Sequence, residues 1–179
     1  MTLYLVEAYV PQLDEARART LAGEARSAAG AMAIRHLSSI FVPEDDLCFH
    51  LLEAGSADSV CEAWRRAGLP FERVVVAVRP RSNDERSVLM PQFLVERHLP
   101  GFPPEQLPAA AGAAKRKSIE VTGEGSDVRY IRSTWVPEGE RCYCLFEASS
   151  SGAVAEVQKR AELPFEHIYE AAFLTAEDV

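Results

Sequence analysis

The sequence predicts an α+β fold made of two consecutive units, each with the element order βαββαβ. Three observations carry this prediction: an internal repeat, an alternation of short β-branched segments with helix-forming segments, and proline-containing turns at matching places. When residues 39–72 are placed over residues 133–166, 17 of the 34 ungapped positions are identical. A repeat of this strength indicates that the chain contains the same structural unit twice.

Each unit begins with a strand and a helix. Residues 4–10 and 93–99 are short, rich in β-branched and aromatic residues, and followed by a proline, as is typical of strands. Residues 14–29 and 104–120 are rich in alanine and other good helix formers. The second of these helices opens with prolines, which the first helical turn tolerates because its N–H groups have no partner within the helix.

A β-hairpin follows the first helix in each unit. Apolar runs at residues 34–41 and 47–53 flank the turn Pro-Glu-Asp-Asp, and runs at 128–135 and 142–148 flank Pro-Glu-Gly-Glu. Proline and acidic residues between two apolar runs are typical of a tight turn. Each pair of runs therefore predicts two antiparallel strands.

A second helix and a closing strand complete each unit. Residues 56–67 and 150–161 begin with serine, which favours the N-terminus of a helix. After each helix, the shared motif Leu-Pro-Phe-Glu precedes an apolar segment, at residues 74–78 and 168–173. These segments are expected to be the last strand of each unit.

The order βαββαβ is that of the ferredoxin-like arrangement. Right-handed crossovers then place the four strands of a unit in the spatial order 4-1-3-2, with both helices on one face. We expect the uncovered faces of the two sheets to pack together, as in a dimeric α/β barrel, with a pocket between them. The chain would then be a monomer with an internal pseudo-dimer, and this arrangement is compatible with a higher oligomer.

The predicted boundaries follow from the repeat. The first unit takes residues 1–78, a polar, proline-bounded linker takes 79–91, the second unit takes 92–174, and residues 175–179 form a tail.

Composition excludes several classes of protein. With 47% hydrophobic and 26% charged residues, the chain is expected to fold around a core. A formal net charge of −8 without a long basic run makes nucleic acid an unexpected partner. No basic leader is present, and no apolar run approaches the roughly 18 residues that span a membrane, so we expect a cytoplasmic protein without a membrane partner.

The second unit carries candidate metal ligands on two strands that the order 4-1-3-2 makes neighbours. Glu96 and His98 are two residues apart on its first strand, and Cys142 and Cys144 are two apart on its third. If both pairs face the same side, a carboxylate, an imidazole and thiolates converge. Such a mixed donor set suits Ni, Cu, Zn or Fe rather than Mg or Ca.

Structural explanations remain open beside this one. A cysteine in a strand is more often a small core residue than a ligand, and parallel side chains on one strand are poorly placed for a disulfide. Glu7 and Glu96, one in each first strand, each need a partner or solvent. Arg35 or Arg129, on a nearby strand, is the alternative to a metal ion.

The first unit has a different polar set. It retains Glu7 and Cys48, but it has Tyr9 and His50 where the second unit has His98 and Cys144. Glu7 with His50, and with His36, could act as an acid/base pair. The alternative is that this unit is a scaffold.

The second unit also resembles a known family. The resemblance rests on residues 93–101 (FLVERHLPG), Ser133, residues 143–148 (YCLFEA) and the KRA and LP segments at 159–164. In these motifs the chain resembles the nickel-binding ferredoxin-like family of small bacterial domains, over most of residues 92–173 and more weakly over 3–78. The resemblance implies a ferredoxin-like fold, dimeric packing of sheets, and transition-metal binding with Glu96, His98 and Cys144 as candidate ligands.

Three functions follow as hypotheses. The first is transition-metal binding, of the nickel type, by Glu96, His98, Cys144 and Cys142. The second is a dimeric α/β-barrel-like oxygenase, cyclase or isomerase that acts on a small hydrophobic molecule through Glu7 and His50. The third is a non-catalytic binding or interaction module. Because no Walker loop or dinucleotide fingerprint occurs, no nucleotide cofactor is expected, and whether the protein is an enzyme stays open.

Overall fold

The chain forms two compact α+β units. The structure, a computed structural model, describes residues 1–79, 90–175 and 178. The first unit contains Met1–Ala77 and Ala171–Val179, and the second contains Val78–Glu170. The predicted fold class, with the order βαββαβ twice, is confirmed. The predicted linker lies almost wholly outside the described residues, and the face-to-face packing of the two sheets stays a prediction.

The first unit has the strand order β4-β1-β3-β2 that the sequence predicted. Its elements are β1 (Thr2–Tyr9), α1 (Glu15–Ala31), β2 (Arg35–Val42), β3 (Leu47–Ala54), α2 (Ala57–Ala67) and β4 (Arg73–Val76). Neighbouring strands are antiparallel throughout. Residues 172–175 extend this sheet, because they pair antiparallel with β2.

The second unit repeats the arrangement with the order β8-β5-β7-β6. Its elements are β5 (Gln92–His98), α3 (Leu107–Gly123), β6 (Val128–Val136), β7 (Arg141–Ala148), α4 (Ser151–Arg160) and β8 (His167–Thr175). Val78 forms an isolated antiparallel bridge with Trp135 in this unit. The structure assigns residues 171–174 to the first unit, whereas the sequence pattern placed them in the second.

Local capping hydrogen bonds and a short 3₁₀ turn determine where the helices begin. The Ser56 hydroxyl accepts a hydrogen bond of 3.2 Å from the Ser59 N–H at the start of α2, and Ser150 does the same for Ala153 at the start of α4. Helix α3 begins at Leu107 rather than at residue 104, because Pro104–Gln106 form a single 3₁₀ turn.

Each hairpin turn contains one residue in the left-handed backbone conformation, Asp46 with φ 54° and Glu140 with φ 49°.

In each unit a core lies between the sheet and its helices. In the first unit Trp64 of α2 packs with the β3 residues Cys48 and Leu52, and all three are fully buried or nearly so. In the second unit Cys142, Cys144 and Phe146 of β7 occupy the corresponding place. Because side chains alternate along a strand, the even-numbered residues of β3 and β7 face the helices.

No helix within the described residues is both long enough and apolar enough to cross a lipid bilayer.

The serine caps predict a measurable contribution to stability. Ser56→Ala removes the acceptor for the Ser59 N–H, so we expect a loss of about 1 kcal/mol in the free energy of unfolding. Ser56→Asp keeps an acceptor and should lose much less. Chemical denaturation followed by circular dichroism measures both, and equal losses in the two variants would contradict the capping role.

Candidate functional site

The acidic residue of each first strand forms an ion pair with an arginine. Glu7 lies directly across from Arg73 of β4, whose guanidinium donates hydrogen bonds of 2.7 and 3.0 Å to its two carboxylate oxygens. Glu96 pairs with Arg141 at the start of β7 and also accepts a hydrogen bond of 3.2 Å from the Tyr169 hydroxyl. Both carboxylates are therefore partnered within their own unit.

The arginine partners that the sequence predicted for these two carboxylates were wrong. Arg35 and Arg129 lie on β2 and β6, which are not neighbours of β1 and β5, the strands that carry the acidic residues. Arg35 instead lies 3.3 Å from Glu53, and Arg129 donates a hydrogen bond of 3.2 Å to Glu147. Each of these half-buried strand carboxylates does take an arginine partner, but the partner comes from an adjacent strand.

Glu96 also belongs to a cluster of potential metal ligands. One ligand atom from each of Glu96, Glu166 and His167 lies within 4.8 Å of the others. The side chain of Glu96 is 13% exposed, while those of Glu166 and His167 are 44% and 60% exposed. The cluster forms because β8 lies beside β5, where the Glu166 N–H donates a hydrogen bond of 2.9 Å to the Glu96 carbonyl.

Sequence reasoning missed Glu166 and His167, although a signal for them existed. Glu166 ends the repeated motif Leu-Pro-Phe-Glu, and His167 follows it at the start of the closing strand. The order 4-1-3-2 puts that strand beside the one with Glu96. The three positions of the cluster hold Glu7, Glu72 and Arg73 in the first unit. An arginine therefore stands there at the position that His167 has in the second unit.

The four ligands predicted for the second unit are not brought together. In the register of β5 and β7, Glu96 lies across from Tyr143 and Val95 lies across from Cys144, so Glu96 and Cys144 point to opposite faces. His98 shares the face of Glu96, but its Nε2 atom is 4.0 Å from Glu140. The condition on which the combined site depended, that both pairs face the same side, is not met.

Cys144 instead lies in a buried polar network beneath the helices of the second unit. The Arg97 guanidinium donates a hydrogen bond of 2.8 Å to the Cys144 Sγ atom, and the Ser133 hydroxyl lies 2.9 Å from the same sulfur. The Sγ atom of Cys142 lies 3.7 Å away, and both cysteines are free thiols, as expected. Hydrogen bonding from Cys142, together with Arg97 and Ser133, lowers the pKa of Cys144 to about 6 against the effect of burial.

The first unit has a neutral network at the equivalent place. The Ser39 hydroxyl lies 3.0 Å from the His36 Nε2 atom and 2.7 Å from the His50 Nδ1 atom, and the His50 Nε2 atom lies 3.1 Å from the Cys48 Sγ atom. Burial lowers the pKa of His50 to about 3, with a smaller contribution from His36. Burial also lowers the pKa of His36 to about 4, with help from Arg26, and it raises the pKa of the Cys48 thiol.

The acid/base pair predicted for the first unit is separated as well. Glu7 lies across from Phe49, and Val6 lies across from His50, so the carboxylate and the imidazole occupy opposite faces of the sheet. Glu7 is held by Arg73, while His50 packs edge-on against Trp64 at 5.7 Å between ring centres. Only the His36 and His50 part of the predicted set is brought together, through Ser39.

The two buried histidines predict a loss of stability in acid. Their pKa values are lower in the folded than in the unfolded chain, so stability is fully present above the unfolded value of 6.5 and is lost as pH falls toward 4 and 3. Between pH 7 and pH 5 the lowered pKa of each histidine should reduce the free energy of unfolding by about 2 kcal/mol. Chemical denaturation at both pH values measures this.

A variant pair tests the assignment of that acid sensitivity. In His50→Gln, the difference in unfolding free energy between pH 7 and pH 5 should shrink by about 2 kcal/mol. His98→Gln, at a half-exposed position, should leave the contribution of His50 in place. If His50→Gln keeps the full pH dependence, burial of a neutral imidazole is not its source.

Solved structures share the fold of the whole chain. Chlorite dismutase from Candidatus Nitrospira defluvii in complex with imidazole has a TM-score of 0.51 at 11% identity, and the match covers 98% of this chain and 92% of that one. A mutant chlorite dismutase from the same organism has a TM-score of 0.50 at 8% identity, covering 98% and 91%. An anthrone oxidase-like protein has a TM-score of 0.49 at 7% identity, again covering 98% and 91%. At these identities the two chlorite dismutase likenesses, with TM-scores of 0.50 or more, show a shared fold and nothing beyond it.

The second unit has a match at the level of sequence. No curated protein matches the chain significantly. Residues 93–171 match the model of a family described as nickel responsive protein SCO4226-like, and this range contains all three members of the cluster of Glu96, Glu166 and His167. The resemblance that the strand motifs indicated is therefore confirmed: over residues 93–171 the chain is similar to a nickel-responsive family.

Proposed function

We propose that the second unit binds a divalent transition-metal ion, nickel foremost, through Glu96, Glu166 and His167. The observation that carries the proposal is the convergence of two carboxylates and one imidazole within 4.8 Å. The match of the same segment to a nickel-responsive family supports it. Imidazole with carboxylate is a donor set that suits Ni, Zn and Cu, whereas Mg and Ca prefer oxygen atoms only.

The spacing of the donor atoms fits a transition metal after small movements. Ligand atoms lie about 2 Å from such an ion, so two ligands of one ion are at most about 4 Å apart. The distances between the ligand atoms, which are up to 4.8 Å in the structure, must therefore shorten slightly when an ion binds. Because the side chains of Glu166 and His167 are largely exposed, they can move without repacking the core.

Arg141 opposes metal binding at this cluster. Its guanidinium pairs with Glu96 and lies 3.4 Å from Glu166, so it neutralises the two carboxylates that would bind the ion. A bound cation has to displace this guanidinium or tolerate its charge. The first unit has Leu47 at the equivalent position, but there Arg73 takes the place of His167 and pairs with Glu7. We therefore assign the metal site to the second unit alone.

Variants that copy the first unit into the second test the site. His167→Arg removes a ligand and adds a cation, so Ni²⁺ affinity should fall by about tenfold or more. Arg141→Leu removes the competing guanidinium, so Ni²⁺ affinity should rise. Isothermal titration calorimetry of the full chain with NiCl₂ measures the affinity and the stoichiometry, with MgCl₂ as a metal that should not bind.

The matched control lies in the first unit. Glu7→Gln changes the carboxylate that corresponds to Glu96, and it should leave Ni²⁺ binding unchanged, whereas Glu96→Gln should weaken it. The proposal fails if wild-type protein does not bind Ni²⁺, or if His167→Arg and Glu96→Gln bind it as tightly as the wild type does.

A further inference from the structure

An arginine is sealed inside the second unit without a carboxylate partner. Arg97 is 3% exposed and faces the helices, on the side of the sheet opposite to Glu96. Its guanidinium donates to the Cys144 sulfur and to the side-chain carbonyl of Gln158, which is itself fully buried. Among the residues that the structure describes, no aspartate or glutamate forms an ion pair with it. A buried guanidinium that lacks an anion costs several kcal/mol.

Cys144 can supply that anion. Its Sγ atom lies at hydrogen-bond distance from three groups, namely Arg97 at 2.8 Å, Ser133 at 2.9 Å and the Cys142 thiol at 3.7 Å. The Ser133 oxygen already accepts a hydrogen bond of 2.9 Å from Tyr130, so the hydroxyl proton of Ser133 is available to the sulfur. An ionised Cys144 sulfur can accept from all three groups, and such donors, one of them cationic, stabilise a thiolate.

The first unit provides an internal comparison for this network. Where the second unit has Arg97, Cys144 and Gln158, the first unit has Ala8, His50 and Trp64. The thiol of the first unit's polar network is Cys48, which corresponds to Cys142, and no guanidinium within the described part of the chain is hydrogen-bonded to it. Burial raises the pKa of Cys48, whereas the surroundings of Cys144 lower its pKa. Both thiols are 1% exposed, so the opposite directions of their pKa shifts do not come from a difference in depth.

We propose that Cys144 is a site of oxidation by hydroperoxides, with Arg97 as the positioning residue that keeps its sulfur ionised. The thiolate attacks the nearer peroxide oxygen, an S–O bond forms, and the O–O bond breaks. The sulfur loses two electrons and becomes a sulfenic acid, while the peroxide is reduced and leaves as hydroxide, or as alkoxide from an organic hydroperoxide. Hydrogen peroxide is small and uncharged, so a local opening of the unit suffices for its entry.

The surroundings of the sulfur favour this step over the same step at Cys48. Arg97 carries a positive charge beside the point where the leaving oxygen becomes negative, and Ser133 offers a hydrogen bond there. Thiolate, not thiol, is the nucleophile, and a thiol with an ordinary pKa is only a few per cent ionised at neutral pH. The reaction needs no metal ion, so this inference is independent of the proposed nickel site.

The rates of oxidation of the cysteines within one molecule test the proposal. Wild-type protein is treated with hydrogen peroxide at neutral pH in the presence of a chelator, then unfolded and alkylated, and the remaining free thiol of each cysteine is measured by peptide mass spectrometry. Cys144 should lose its thiol about tenfold or more faster than Cys48. Trapping with dimedone should label Cys144 as a sulfenic acid. Equal rates at Cys144 and Cys48 would overturn the proposal, because both lie at the same depth.

A variant and a pH profile separate the role of Arg97 from a purely structural one. Arg97→Ala, which installs the residue of the first unit, should slow oxidation of Cys144 about tenfold at neutral pH, and Arg97→Lys should retain part of the rate. Should Arg97→Ala fail to fold, the pH dependence of Cys144 oxidation in the wild-type protein still tests whether the sulfur is ionised. Its Cys144 rate should be constant above pH 7 and fall below about pH 6, following the lowered pKa. A rate that keeps rising between pH 7 and pH 9 would contradict an ionised sulfur.

Discussion

A polar side chain that is sealed between a sheet and its helices must find its partner inside the same unit, and this constraint organises the interior of both units. In the first unit the partners are neutral groups: the Ser39 hydroxyl links His36 to His50, and His50 contacts Cys48. In the second unit one partner is charged, because the Arg97 guanidinium donates a hydrogen bond to the Cys144 sulfur. In both networks the partners lie on paired strands, so each network depends on the register that brings these strands together.

Strand alternation keeps the two chemistries of the second unit apart. Glu96 and Arg97 are consecutive, but they point to opposite faces of the sheet, one toward the cluster with Glu166 and His167 and the other toward Cys144. The carboxylates are held near solvent, where an ion can reach them. The sulfur is held under the helices, where a low dielectric strengthens its electrostatic interaction with Arg97. The hard and soft donor groups that the sequence spacing placed in one site therefore lie on opposite faces of the sheet.

The repeat was enough to predict the elements and the strand order 4-1-3-2, because identical turn and cap residues recur at equal spacing. The faces were harder to predict. Spacing shows that Glu96 and His98 share a face, and that Cys142 and Cys144 share one, but only the register of β5 with β7 shows that these faces differ. Arg97 gave no sign of burial, since a strand arginine usually reaches solvent. His167 was missed because its closeness to Glu96 arises from pairing of strands far apart in sequence.

The first unit also shows that the charge around Cys144 is not required by the fold. The same six elements form in the first unit with Ala8, His50 and Trp64 at these positions, so a methyl group stands where the second unit has the guanidinium of Arg97. A buried ion pair loses the solvation of both charges, and an apolar or neutral replacement of similar volume is often at least as stable. The arginine and the sulfur of the second unit are thus difficult to explain by stability alone. Their arrangement is better explained by what an ionised sulfur can do, because the guanidinium that has to be paired also keeps the sulfur in its nucleophilic form.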